Sequence, residues 1–152
     1  MTTETMMTPL SGLPDPDTAP EFYEDVTFKR AIAWMIDVVI IGAICALVAV
    51  FTLFLAVLLL PLFMMISFVY RWVGMANYSA TPGQRLMNIR FLRRDGEPLD
   101  ATTAFLHVTG YFVSMAVFPL QLISIATMMI TGRKQGLTDM FLGTAPVNAS
   151  AK

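Results

Sequence analysis

A chain of 152 residues that is 56% hydrophobic and 14% charged, with a mean hydropathy of +0.65, is too apolar for an ordinary soluble domain of its length. Its net charge of −1 conceals a split, since residues 1–28 carry six acids and no base while residues 29–152 carry ten bases against five acids. The single cysteine, Cys45, excludes an intrachain disulfide.

The chain opens with an acidic segment holding Pro9, Pro14, Pro16 and Pro20. Such a composition buries little apolar surface against its chain entropy, so residues 1–26 are expected to form a disordered tail. A cleavable leader would begin with positive charge, and the first basic side chain here is Lys29, which makes the first apolar run a retained anchor.

From Val38 to Tyr70 there are 33 residues without an Asp, Glu, Lys or Arg. A bilayer core needs about 20 residues of helix, so this run, extended at both ends, predicts an antiparallel pair of transmembrane helices. Thr52 and Pro61 are the only punctuation, which puts the turn between Phe51 and Pro61. Lys29 and Arg30 precede the pair and Arg71, Arg85, Arg90, Arg93 and Arg94 follow it, so both flanks are expected on the cytoplasmic side. Trp34, Tyr70, Trp72 and Tyr78 suit the same interface.

Residues 78–100 contain two turn signals, Pro82-Gly83 and Asp95-Gly96. Between them Met87, Ile89 and Phe91 alternate with Asn88, Arg90 and Leu92, the period of a half-buried strand. A small cytoplasmic β-hairpin around Asp95-Gly96 is the simplest reading, and its arginines suit anionic lipid better than nucleic acid beside membrane spans. A second apolar region then runs from Ala101 to Gly132. Pro119 is expected to break it into two short helices that return Arg133 and Lys134 to the cytoplasmic side.

Asp37 is the residue that most needs a partner. A carboxylate within a span costs about 2.5–3.5 kcal/mol on insertion scales. Arg30 lies seven positions earlier on nearly the same face, but helical side chains lean towards their own N-terminus, which tilts it out to the headgroups. Arg71, on a helix running the other way, leans inwards. An Asp37–Arg71 pair is therefore expected, with Ser67 and Tyr70 as neighbours, and an exchange of the two charges is expected to restore what either alanine variant loses. Such a pair could fix helix packing, mark a proton or cation path, or recognise a lipid headgroup or a partner. Asp139, close after Arg133 and Lys134, is a candidate partner for Arg30 or a solvated surface charge.

Other chemistries find no support. TPGQR lacks the glycine-lysine pattern of a nucleotide cradle. His107 and Cys45 are the only residues of their kinds, which leaves no local metal-ligand cluster and no Cys-His pair, so neither a cofactor nor catalysis is expected. Twelve scattered methionines read as apolar lining.

Three stretches, RAIAWMID, SATPGQRLMNIRFLRRDGEPLD and RKQGLTDMFLGT, in that order, resemble the RDD family of small bacterial integral membrane proteins, named for one arginine and two aspartates. The resemblance spans residues 27–147, leaving 148–152 as a C-terminal tail. It implies that Arg30, Asp37 and Asp139 are the named side chains, that Thr81, Pro82, Gly83 and Arg85 form the loop motif, and that Gly143 and Thr144 close the domain. Two departures stand out. His107 occupies a place where relatives often carry arginine, and Ala145-Pro146 replaces the usual β-branched run, which argues against a terminal strand.

Together these readings predict an all-α multi-pass protein of the bacterial cytoplasmic membrane with three or four spans, a cytoplasmic N-terminus and a small cytoplasmic β-hairpin. The expected role is an accessory or assembly subunit organised by an intramembrane Arg/Asp network. The alternative is an oligomeric transporter of a cation or small solute that uses Asp37. Its expected partners are the bilayer and either further copies or a larger membrane complex, not nucleic acid.

Overall fold

The computed structural model describes residues 12–51 and 59–150. The uncharged run forms two helices, α1 (Val26–Phe51) and α2 (Leu59–Tyr78). The turn between them lies outside the described residues, and Pro61 sits in the first turn of α2, where its missing N–H breaks no helical bond. Among the described residues the stretch Pro20–Val50 is long and apolar enough to cross a bilayer. Much of the molecular surface is greasy: Val39, Leu47 and Val50 of α1 and Met65 of α2 are each more than half exposed, a pattern that soluble monomers avoid.

After a short helix α3 (Pro82–Leu86) and a strand β1 (Ile89–Leu92), the second apolar region forms α4 (Ala101–Ala116) and α5 (Phe118–Ile130). The two bend by 118° at Val117, with Pro119 in the first turn of α5. At 1.5 Å per residue they are about 24 and 20 Å long, each short of a bilayer core of about 30 Å. Their V shape returns the end of α5 to the start of α1, where the Thr27 hydroxyl donates to the Met128 carbonyl at 3.0 Å. The chain closes with α6 (Leu137–Leu142) and β2 (Ala145–Asn148).

The buried centre forms where α2 packs on α4 and β1 slides beneath them. Met75, Phe91, Leu99, Ala104 and Val108 make one buried cluster, flanked by Phe68 and Trp72. Phe68 meets Phe105 edge to face, with ring centres 5.4 Å apart.

Three expectations need correction. Pro82-Gly83 does not make a simple turn: Thr81 caps α3, its hydroxyl accepting from the Gln84 N–H while the Gln84 side chain accepts from the Thr81 N–H, and Pro82 takes the first helical position. The expected β-hairpin is also replaced by a longer-range pairing. A turn does form at Asp95-Gly96, with the Gly96 N–H donating to the Arg93 carbonyl, but the returning arm reaches β1 only through a Leu92–Pro98 bridge. Asp100 is already committed to capping α4 through the Thr103 N–H. The partner of β1 is instead the C-terminal β2, antiparallel, with Phe91 opposite Pro146 and Arg90 opposite Val147. Asn148, assigned to a C-terminal tail, belongs to this strand.

Proline is tolerated in β2 for a geometric reason. The Phe91 N–H donates to the Ser79 carbonyl, away from β2, while Ala149 N–H donates across to the Asn88 carbonyl. Phe91 and Pro146 are therefore a non-hydrogen-bonded pair of the ladder, where no N–H is required.

The third correction concerns the acidic segment. Residues 1–11 lie outside the described residues, but residues 12–25 pack against the sheet. Leu13 and Tyr23 are buried with Leu92, Ala145 and Val147, and the Asn148 side chain donates to the Glu21 and Glu24 carbonyls. Leu13, Phe22 and Tyr23 supply apolar surface, and Pro14, Pro16 and Pro20 lower the entropy lost on ordering.

Shifting the proline by one residue tests the register. Val147→Pro removes an N–H directed at Arg90 and is expected to cost about 1–3 kcal/mol, while Pro146→Val is expected to change stability by less than about 0.5 kcal/mol. Thermal unfolding of the purified variants in detergent reads the difference.

Candidate functional site

Two carboxylates, both 1% exposed, organise the interior from opposite sides of a shared cavity. Asp37, on α1, accepts from the Gly83 N–H at 2.8 Å and the Tyr70 hydroxyl at 3.0 Å through Oδ1, and from the Thr81 hydroxyl through Oδ2. The loop motif thus acquires a physical meaning. Thr81 caps α3 and also donates to Asp37, Pro82 starts the helix, and Gly83 lets its backbone approach, since a Cβ there would stand 2.5 Å from both the Ala33 carbonyl and Asp37 Oδ1. Arg85 is exposed and stacks on Tyr78, 4.1 Å from the ring centre, outside this cluster.

Arg71 reaches Asp37 at 3.8 Å, close enough for charge attraction and too far for a hydrogen bond. Three hydrogen bonds to a charged group, each worth about 1.5–3 kcal/mol, already outweigh an insertion cost of about 2.5–3.5 kcal/mol. The carboxylate is therefore satisfied chiefly by Thr81, Gly83 and Tyr70. Ser67, also expected beside it, is buried but is not among its donors. Arg71 makes no hydrogen bond among the described residues; its guanidinium lies over the Tyr111 ring at 4.7 Å, and its buried Nε has no acceptor.

Asp139 is the second organiser. Its Oδ2 accepts from Arg30 at 2.8 Å and from the Gly136 N–H at 2.9 Å, and its Oδ1 lies 2.6 Å from His107 Nε2 and 3.3 Å from the Thr144 hydroxyl. Burial alone would raise this carboxyl's pKa, but the Arg30 charge and the His107 hydrogen bond overcome it and hold the group well below the usual carboxylate range. Arg30 does not snorkel away: it also donates to the Lys134 carbonyl at 3.0 Å and lies over Phe91. Gly143 adopts a left-handed conformation, φ 67°, that ends α6 and lets the Thr144 N–H return to the Asp139 carbonyl. His107, which the sequence offers as a lone histidine and a departure from relatives, is thereby a member of the site.

Between the two clusters lies a cavity of about 570 Å³. Arg30, Asp37, Arg71, His107 and Asp139 line its charged floor, and Trp34, Met35, Met115 and Ile125 its apolar side. Ser114, held to the Gln121 side chain at 2.9 Å across the bend, adds a polar point at the apex of the V. A cavity of this size with a few convergent polar groups suits one small molecule.

The geometry reverses one sequence-based expectation. An arginine at position 37 cannot accept from Thr81 and Gly83, so the exchange Asp37→Arg with Arg71→Asp is expected not to rescue folding, measured as the monodisperse fraction in gel filtration. A second prediction concerns pH. Because the Asp139 carboxyl is lowered on folding, its stabilisation is present above the unfolded value of about 3.9 and is lost as pH falls through the folded value. Asp139→Asn leaves Arg30 uncompensated and is expected to cost about 3–5 kcal/mol at neutral pH, a gap that closes only below about pH 4 in thermal melts compared with the unsubstituted chain.

No curated protein and no solved structure matches the chain. The model of the RDD family matches residues 26–143, a segment that contains α1 through α6, both carboxylates and every residue of the loop motif. Family membership and the apolar α1 both point to a membrane protein. On that match, which covers most of its length, the chain belongs to the RDD family.

Proposed function

We propose that this chain is a multi-pass protein of the bacterial cytoplasmic membrane that binds a small ligand in the cavity between α1, α4 and α5. It acts as a transport component together with further copies or partner subunits. The observation that carries this reading is the cavity of about 570 Å³ lined by charged side chains that are buried or nearly so and by apolar side chains that are exposed. The described helices do not by themselves enclose a path across a bilayer, and in this reading further copies or partner subunits supply the rest. In this reading the cytoplasmic face carries the N-terminus, the β1–β2 sheet and α6, since the basic flanks gather there.

The carboxylates act as helix organisers rather than as carriers. Asp37 and Asp139 each spend their oxygens on protein donors, which leaves neither poised to release and rebind a cation. That same saturation favours the second reading, an accessory subunit whose Arg/Asp network serves assembly alone. Neither reading calls for catalysis.

Native mass spectrometry of the chain gently extracted from its own membranes separates the two. The expected result is a small-molecule adduct that disappears in Ala31→Trp, which fills the cavity from α1, with the melting temperature unchanged. A chain that carries no adduct and emerges only within a larger protein complex would favour the accessory reading.

A further inference from the structure

We propose that the cavity receives the anionic headgroup, carboxylate or phosphate, of a single membrane amphiphile, with Arg71 as its receptor. This identification of the ligand class rests on the ligand-binding reading above.

Among the described residues Arg71 is a buried cation held by charge attraction to Asp37 and by the Tyr111 ring, but by no hydrogen bond. Arg30 donates to Asp139 and to the Lys134 carbonyl, whereas Arg71 is 7% exposed, has a buried Nε without an acceptor and makes no hydrogen bond among the described residues. Its guanidinium face is covered by Tyr111, which leaves the N–H edge as its reactive side. A guanidinium edge is shaped for two oxygens of one carboxylate or phosphate, and in a site shielded from water such charge-assisted bonds are strong. Asp37 nearby opposes an incoming anion, but its charge is already shared among three donors. An anion at Arg71 would complete a set of donors that Asp37, at 3.8 Å, does not.

The mouth of the cavity selects an amphiphile over a free anion. Beyond the Thr27–Met128 bond at the base, α1 and α5 share little packing, and the cavity-lining side chains on that side are apolar and exposed: Trp34 and Met35 of α1, Ile125 of α5 and Met115 of the adjoining α4. A water-soluble ion gains nothing from such a rim. An acyl chain leaving through it would stay among apolar side chains and lipid while its headgroup remained on the polar floor. Dispersion and area burial along the chain then add to the headgroup bonds.

The test uses the purified full chain in neutral detergent, stripped of lipid and titrated while bound complexes are followed by native mass spectrometry. Four probes are compared: oleate, phosphatidylglycerol, oleyl alcohol and inorganic phosphate. One equivalent of oleate or of phosphatidylglycerol is expected to bind, whichever of the two binds more tightly naming the source, with oleyl alcohol and phosphate at least about tenfold weaker. Arg71→Gln is expected to abolish the preference for oleate over oleyl alcohol, and Arg71→Lys, a point charge without the two-pronged edge, to keep part of it. Should Arg71→Gln fail to fold, the comparison of oleate with oleyl alcohol on the unsubstituted chain still decides. Equal affinity for those two probes overturns the role of Arg71 while leaving a cavity that binds ligands. Inorganic phosphate binding as tightly as the lipids overturns the amphiphile, and binding of none of the probes overturns the proposal altogether.

Discussion

The structure depends on two buried carboxylates, each meeting backbone N–H groups at the start of a short helix. Asp37 receives the Gly83 N–H of α3 and Asp139 the Gly136 N–H that precedes α6. Neither α3, at five residues, nor α6, at six, is long enough to be stable alone. Each is therefore fixed by the charge it caps. Through Asp37 the segment after α2 is tied to α1, and through Arg30 and Asp139 the segment after α5 is tied to the same helix. α1 is thus the common post to which both connecting segments are fastened, and the cavity is the space left between the fastenings.

How much of this can be read from the sequence depends on the distance over which each residue acts. The long apolar helix follows directly from an uncharged run, and Asp37 stands out because nothing else in that run carries charge. The inward lean of Arg71 follows from helix direction and explains why it comes near Asp37. The stronger partners, supplied by TPG, remained hidden. Thr81 and Gly83 read locally as a turn, and only the docking of α3 on α1 brings their donors to a carboxylate 44 and 46 positions away.

The sheet obeys the same limit with a different outcome. Asp95-Gly96 is a genuine turn, yet turn chemistry fixes only the bend and not the pairing of the strand that enters it. The residues after Pro98 are drawn into the cap of α4, so β1 finds its neighbour near the C-terminus. A proline in that neighbour looked disqualifying because composition does not reveal ladder phase. His107 reads locally as a lone histidine for a related reason: its partner, Asp139, lies 32 residues away on α6.

Arg30 and Asp139 are separated by 109 positions. On the ribosome, the guanidinium emerges long before the acid that neutralises it. Throughout synthesis of α2, α4 and α5 the base of α1 carries a positive charge whose acidic partner has not yet been made. The bond is made by α6, which follows α5 in the chain, so a nascent chain truncated before residue 139 retains its anchor and lacks its lock.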